Sequence, residues 1–250
     1  DFTTVLRSDN ILFGWGTNSG GEIGNGIVGP YSNLTLISST SWKVVSNRNY
    51  SVAAIRSDGT LFTWGSNLAL QLGRTVVGYV SSPVQIGTSS WVSVSSRSSN
   101  ILAIRYGGGG NLFAWGYNVY GTLGDNTQVS KYSPIQIGSS SWSMVSHGIS
   151  FSAAGIRSDG ALFTWGSNGN GTLGDNTVIS RSSPVQIGTS SWTTVSVGIS
   201  YVGAIRSDGA LFTWGFNLFG ALGNGNTTST SSPIQIGTSS WSSVSAGSGD

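Results

Sequence analysis

Residues 205–223 read Ile-Arg-Ser-Asp-Gly-Ala-Leu-Phe-Thr-Trp-Gly-Phe-Asn-Leu-Phe-Gly-Ala-Leu-Gly. Two short runs rich in β-branched and aromatic residues, Tyr201 to Arg206 and Leu211 to Gly215, flank Ser207-Asp208-Gly209. Asp and Gly tolerate the positive φ angles that a tight hairpin demands, so this stretch predicts two antiparallel strands joined by a turn. Near-copies occupy residues 55–73 and 156–174, with Asp58-Gly59 and Asp159-Gly160 at the turn. Asp9-Asn10 is the chemical equivalent in the first copy, since Asn also enters the left-handed region, and Gly107 to Gly110 makes a longer, looser turn in the third.

The tryptophans fix the period. Trp15, Trp64, Trp115, Trp165 and Trp214 form one set, and Trp42, Trp91, Trp142, Trp192 and Trp241 form another, each 27 residues after its partner. Successive copies are offset by 49, 51, 50 and 49 residues, so all 10 tryptophans fall into five units of about 50 residues. A first strand, Ser191-Trp192-Thr193-Thr194-Val195-Ser196, precedes the hairpin, and a fourth, Ser232-Pro233-Ile234-Gln235-Ile236-Gly237, follows it. Pro83, Pro134, Pro184 and Pro233 open the fourth strand, where a missing N–H costs least. Leu34 stands there in the first copy and leaves room for a different pairing.

A four-stranded unit of this size cannot bury both faces of its sheet alone, and radial stacking of like units solves this. The expectation is an all-β, five-bladed β-propeller with four antiparallel strands per blade, forming one domain over residues 1–250. Joining the ends gives a Trp241-to-Trp15 spacing of 24, against internal values of 22, 24, 23 and 22. Closure by a shared blade is therefore expected, with Phe2 to Trp15 completing a sheet whose first strand is Trp241 to Ser245, and the open edge removed. Edge-to-edge joining of several chains is the rival arrangement.

Composition narrows function. Only 8% of residues are charged, and 11 basic against 9 acidic residues give a net charge of +2 with the Arg residues dispersed once per repeat. No basic stripe for phosphates results, so nucleic acid is not an expected partner. The chain has no Cys, which excludes disulfides and thiol chemistry, and no apolar run long enough for a membrane-spanning helix. It begins at Asp1 without Met, which reads as a processed chain or an excerpt. Abundant Gly, Ser and Thr with few Lys and Glu suit an extracellular or particle-surface protein.

The string Ile-Arg-Ser-Asp-Gly-x-Leu-Phe-Thr-Trp-Gly-x-Asn-x-x-x-x-Leu-Gly, at residues 55–73, 156–174 and 205–223, resembles the repeat of the regulator of chromosome condensation family. The resemblance covers the whole chain. It implies a β-propeller of four-stranded blades with a clasp formed by both termini. The family's founding type is an exchange factor for a Ran-type GTPase, with seven blades and an inserted wedge. Here the five copies are uniform and leave no room for such a wedge.

Asn18, Asn67, Asn118, Asn168 and Asn217 follow Trp-Gly in every copy and read as caps of their own turns more readily than as a polar ring. The Arg-Ser-Asp triplets read as blade-stabilising pairs, and Asp125-Asn126-Thr127 and Asp175-Asn176-Thr177 as loop turns rather than calcium ligands. His147 is the single histidine, and its repeat counterparts Asn47, Ser96, Val197 and Ala246 show that the position needs no imidazole. No catalytic residue, metal ligand or cofactor site emerges, and the chain reads as no enzyme.

The copies differ after Trp-Gly, where the scaffold does not dictate sequence. Leu68 and Leu70, then Tyr117, Val119 and Tyr120, then Phe216, Leu218 and Phe219 are apolar where other copies carry Thr17, Ser19 and Gly20 or Ser167, Gly169 and Asn170. These eight residues are the expected partner-binding patch, extended by Val76-Val77-Gly78-Tyr79-Val80 and Ile27-Val28. The function expected is a structural or protein-interaction module of a surface assembly, binding a protein partner or itself. A lectin-like propeller that binds glycans is the alternative, and a GTPase regulator ranks third.

Overall fold

The computed structural model describes residues 2–48, 50–97 and 99–247. Every regular element among them is a strand: β1 (Phe2–Leu6), β2 (Leu12–Gly16), β3 (Tyr31–Ser38), β4 (Trp42–Arg48), β5 (Ser51–Arg56), β6 (Thr60–Ser66), β7 (Tyr79–Arg97) and β8 (Asn100–Arg105). There follow β9 (Asn111–Gly116), β10 (Lys131–His147), β11 (Ser152–Arg157), β12 (Ala161–Gly166), β13 (Arg181–Val197), β14 (Tyr201–Arg206), β15 (Leu211–Gly215) and β16 (Thr230–Gln235). Hydrogen bonding links β1, β2 and β3 as one series and β4 through β16, in chain order, as another. The chain forms two compact units: one runs to Tyr117 and takes in Ser130–Gln136, and the other comprises Asn118–Val129 and the chain from Ile137 onward.

The hairpins form where the turn chemistry places them. In β14 and β15, Tyr201 faces Gly215 and Ile205 faces Leu211, around a turn in which the Asp208 carboxylate accepts the Ala210 N–H at 3.2 Å and Gly209 takes φ 86°. The first copy keeps the common register despite Leu34. Phe13 faces Leu36 and Gly14 faces Thr35, as Phe62 faces Gln85 and Thr63 faces Val84 in the second copy.

The fourth strand of one repeat and the first strand of the next are a single long strand, not the two short ones expected. Residues Tyr79 to Ser90 of β7 pair with β6, and Trp91 to Arg97 pair with β8. β13 divides in the same way between β12 and β14. Just before the change of partner the register shifts at a glycine in the left-handed region, Gly87 at φ 60° and Gly188 at φ 61°, whose carbonyls accept side-chain N–H bonds from Gln85 and Gln186 at 2.9 and 3.0 Å. Such φ values are cheap for Gly and costly for residues with a Cβ. The first copy lacks that glycine, and there β3 and β4 remain separate strands.

Each sheet packs through its aromatics. In the first unit the Trp42 ring meets Phe62 edge-on at 5.4 Å and Trp64 at 5.9 Å, and Trp91 repeats this with Phe113 and Trp115. In the second unit Trp142 packs on Phe163 and Trp165, and Trp192 on Phe212 and Trp214. All four leading tryptophans are buried, each burial contributing about 2–3 kcal/mol before the gain from the edge-on geometry. The sheet expected to include both termini contains β1 to β3, and Trp241 to Ser245 carries no strand.

Candidate interaction site

The loop that follows each Trp-Gly is built around one buried asparagine. Asn168 Oδ1 accepts the Leu173 N–H at 2.9 Å, while its Nδ2 donates to Asp175 Oδ1, Thr177 O and Ile179 O, each at 3.1 Å. Asn118 does the same with Leu123, Asp125, Thr127 and Val129, and Asn217 with Leu222, Asn224, Asn226 and Thr228. In the first unit, Asn18 binds the Ile23 N–H and the Ile27 carbonyl, and Asn67 binds the Leu72 N–H and the Val76 carbonyl. All five are buried, so each caps its own loop, as expected, and none is left to form a polar ring.

This construction decides what the loops are free to do. The asparagine amide holds the backbone carbonyls of residues 27, 76, 129, 179 and 228, so the fastening is indifferent to their side chains. Those side chains point out: Ile27, Val76, Val129 and Ile179 are all exposed. The loop is thus rigid in backbone and open in sequence.

The predicted patch divides between the two units. In the first, Leu68 is exposed, while Leu70 and Tyr117 are half-buried. Val76, Val77 and Tyr79 join Leu68, and the Tyr79 ring lies against Gly20 of the preceding loop, where a Cβ would come within 2.8 Å of it. In the second unit, Val119 and Tyr120 are exposed, with the Tyr120 ring stacked on Phe151 at 5.0 Å. Leu218 is 60% and Phe219 86% exposed, and Phe216 braces Phe219 edge-on at 6.1 Å from its half-buried position. Sequence reasoning missed Val129, Val178 and Ile179, which are exposed at the same step of their loops as Val76-Val77. The signal lay in the alignment of those positions on Ile27-Val28.

Leu70 shares the conformation of its equivalents but not their residue type. Its φ of 64° is left-handed, and the equivalent residues Gly21, Gly121, Gly171 and Gly220 lie at 79°, 74°, 72° and 75°. A leucine there costs about 1–2 kcal/mol relative to glycine.

The remaining candidates are scaffold. Arg7 and Arg206 donate to Asp9 and Asp208, Arg157 pairs with Asp159 at 2.9 Å, and each guanidinium also covers a phenylalanine ring of its own hairpin. The Arg206 hydrogen bond holds the Asp208 carboxyl down to about 2, with the Ala210 N–H acting in the same direction. Burial pushes the Asp175 carboxyl up, but hydrogen bonds from Thr177 and Arg181 outweigh it and leave a net lowering. Asp125 and Asp175 close turns over Thr127 and Thr177. No cluster of potential metal ligands occurs among the described residues. His147 is buried in β10 opposite Ala153.

Three stretches, residues 109–154, 159–205 and 208–249, match the regulator of chromosome condensation (RCC1) repeat and together make up more than half of the chain. No curated protein matches the sequence. Solved structures do. Human WBSCR16 is similar over 99% of this chain at 23% identity and a TM-score of 0.86, and Prp20p from Saccharomyces cerevisiae, studied for its binding to Gsp1p and histones, over 95% at 17% identity and 0.82. The ectodomain of the Physcomitrella patens receptor kinase CR4 matches 90% of the chain at 17% identity and 0.59. The chain spans 68%, 61% and 52% of those three chains. At such identities the likeness establishes the β-propeller fold and nothing of activity.

Proposed function

The chain belongs to the regulator of chromosome condensation repeat family, and from that premise we propose that it is a non-enzymatic protein-interaction propeller, working in an extracellular or particle-surface assembly. The reading takes the array as five blades, the fifth made from β1 to β3 and a first strand of the Trp241-to-Ser245 type. One observation carries it: five buried asparagines hold five loops by their backbones while apolar side chains vary from loop to loop on the outside. A scaffold that fixes main chain and leaves side chains free is suited to presenting a rigid contact surface, and exposed apolar groups such as Leu218 and Phe219 bind protein surfaces by desolvation. The low content of Lys and Glu supports a surface environment.

A photo-crosslinking residue placed at Phe219, and separately at Asn170, where the residues directly after Trp-Gly are polar, tests this in the organism that makes the protein. A discrete protein adduct at position 219 and none at 170 is the expected result. Equal labelling at both positions, or adducts with glycan alone, would overturn it.

A further inference from the structure

One groove of the first unit carries two arginines whose equivalents in the other copies are paired or replaced, and we propose that it binds a partner protein through a segment presenting a carboxylate beside an apolar side chain. The proposal rests on the reading of the chain as a protein-interaction module but uses none of the loop-patch residues named for it.

The groove opens beside the point at which β7 leaves β6 and joins β8, and its volume is about 390 Å³. Ile86, Trp91, Phe113 and Pro134 line it, together with Arg74 from the loop after β6. A groove of the same construction, about 300 Å³, lies one copy earlier, where Ile37, Trp42, Phe62 and Pro83 are joined by Asn25 and Arg56. The apolar walls are shared. Charge sets the two apart.

In four hairpins an arginine pairs with the aspartate two residues on: Arg7 with Asp9, Arg56 with Asp58, Arg157 with Asp159 and Arg206 with Asp208. Arg105 stands at that step in the third copy, and Gly107 to Gly110 take the place of the aspartate. Its guanidinium lies over the Phe113 ring at 4.6 Å and has no acidic partner among the described residues. Arg56, the equivalent residue, belongs to the lining of its own groove, which sets Arg105 at the wall of the larger one.

Arg74 departs from its copies in the same direction. Its equivalents Asn25, Asp125, Asp175 and Asn224 are short side chains whose oxygens close the loop, as Asp175 does by accepting the Thr177 N–H and Asn25 by accepting that of Ile27. Arginine has no such oxygen. Only the Arg74 backbone carbonyl takes part, accepting from Asn67 Nδ2 at 3.2 Å, and the guanidinium has no acidic partner among the described residues.

Two guanidinium groups without counter-ions at one groove are the recognition chemistry of a carboxylate. The planar fork matches that group with two parallel N–H bonds, and Arg105, stacked on an aromatic ring, is held in place while its N–H edge stays available. The apolar walls take what lies next to the carboxylate. Tyr132, two residues before Pro134, is exposed where other copies carry Ser81, Ser182 and Ser231, and it enlarges that surface. The volume is that of a small-ligand cleft, enough for a short extended segment. A sugar would need many neutral hydrogen-bonding groups, whereas Gln85 directs its Nε2 to the Gly87 carbonyl at 2.9 Å and leaves few at the wall.

Short synthetic peptides carrying one Asp or Glu beside Phe, Leu or Ile, and matched peptides with Asn or Gln in its place, are titrated into the full chain and followed by fluorescence polarisation. The carboxylate set is expected to bind, and the amide set to bind about tenfold more weakly or less. Arg74→Gln and Arg105→Gln should each weaken the carboxylate set by about tenfold, and Arg56→Gln, whose arginine already has Asp58, should leave it unchanged. Circular dichroism checks each fold. Should Arg105→Gln lower stability, Arg74→Asp, which installs the residue of the third and fourth copies, gives the same reading. Equal binding of both sets, binding by neither, or binding that survives both arginine replacements would overturn the proposal. Heparin fragments that bind through the same arginines while no peptide does would assign the groove to an anionic glycan and end it likewise. Arg74→Gln should leave Phe219 crosslinking unaltered, so the groove and the loop patch fail separately.

Discussion

The indole N–H of Trp64 donates a 2.8 Å hydrogen bond to the backbone carbonyl of Glu22, and this one bond ties the third strand of one blade to the loop of the blade before it. The ring sits in a hollow floored by Gly24, where an added Cβ would lie 2.5 Å from the indole nitrogen. The contact recurs in the second unit between Trp214 and Thr172, over Gly174. Within each unit, the stacking of sheets therefore depends on a glycine as much as on a tryptophan.

Gly174→Ala is expected to destabilise the protein by about 2–4 kcal/mol, from the collision with Trp214 and from a left-handed φ of 72°. Gly223→Ala at φ 67° meets nothing within 4 Å and should cost only the backbone strain, about 1 kcal/mol. Urea unfolding of the two variants measures the difference. Equal losses would show that the indole contact contributes nothing.

Asn168→Ala removes the bond accepted from Leu173 and every bond the amide donates to Asp175, Thr177 and Ile179, and strands the Leu173 N–H in a buried site. A loss of about 2–3 kcal/mol is expected. Amide exchange should also rise across Thr177 to Ile179, because the backbone there loses its anchor. Leu218→Ser, which removes an exposed side chain, should stay within about 0.5 kcal/mol of the parent by the same measurement.

The Asp208 carboxyl lies at about 2 because Arg206 hydrogen-bonds it, and Asp9 is lowered by Arg7 in the same way. A depressed folded value contributes stability that is fully present above the ordinary carboxylate range and is lost as pH falls through about 2. Thermal stability should therefore be level from neutrality to about pH 4 and decline below it. Arg206→Gln should return the Asp208 titration, followed by carboxyl NMR, toward its ordinary value.

Much of this was legible in the sequence because the repeat reports on itself. Five Trp-Gly-x-Asn strings located the hairpins, and Asp-Gly turns fixed their register. Joined long strands were not legible: Gly87 and Gly188 read as ends of strands, since a left-handed glycine at a register shift looks in sequence like a strand end. The loop positions Val129, Val178 and Ile179 were hidden inside stretches rich in turn residues, and only the carbonyls taken by Asn118 and Asn168 show them to be displayed. Trp241 to Ser245 has the composition of its four equivalents without their strand, because a strand is defined by the backbone beside it, which local sequence does not encode.

Leu70 gives the sharpest separation of fold from use. Four of five copies place glycine at this left-handed step, so Leu70→Gly removes a steric penalty of about 1–2 kcal/mol while losing the partial burial of one leucine and adding some chain entropy to the unfolded state. These terms oppose, and the net expectation is a stability equal to the parent or higher by up to about 1 kcal/mol. If leucine is kept there for contact, the same variant should bind the partner of the first unit's loops less well despite folding as well or better. A clear loss of stability in urea unfolding would show that the side chain serves packing between loops, and the first unit's share of the patch would then rest on Leu68, Val76 and Val77.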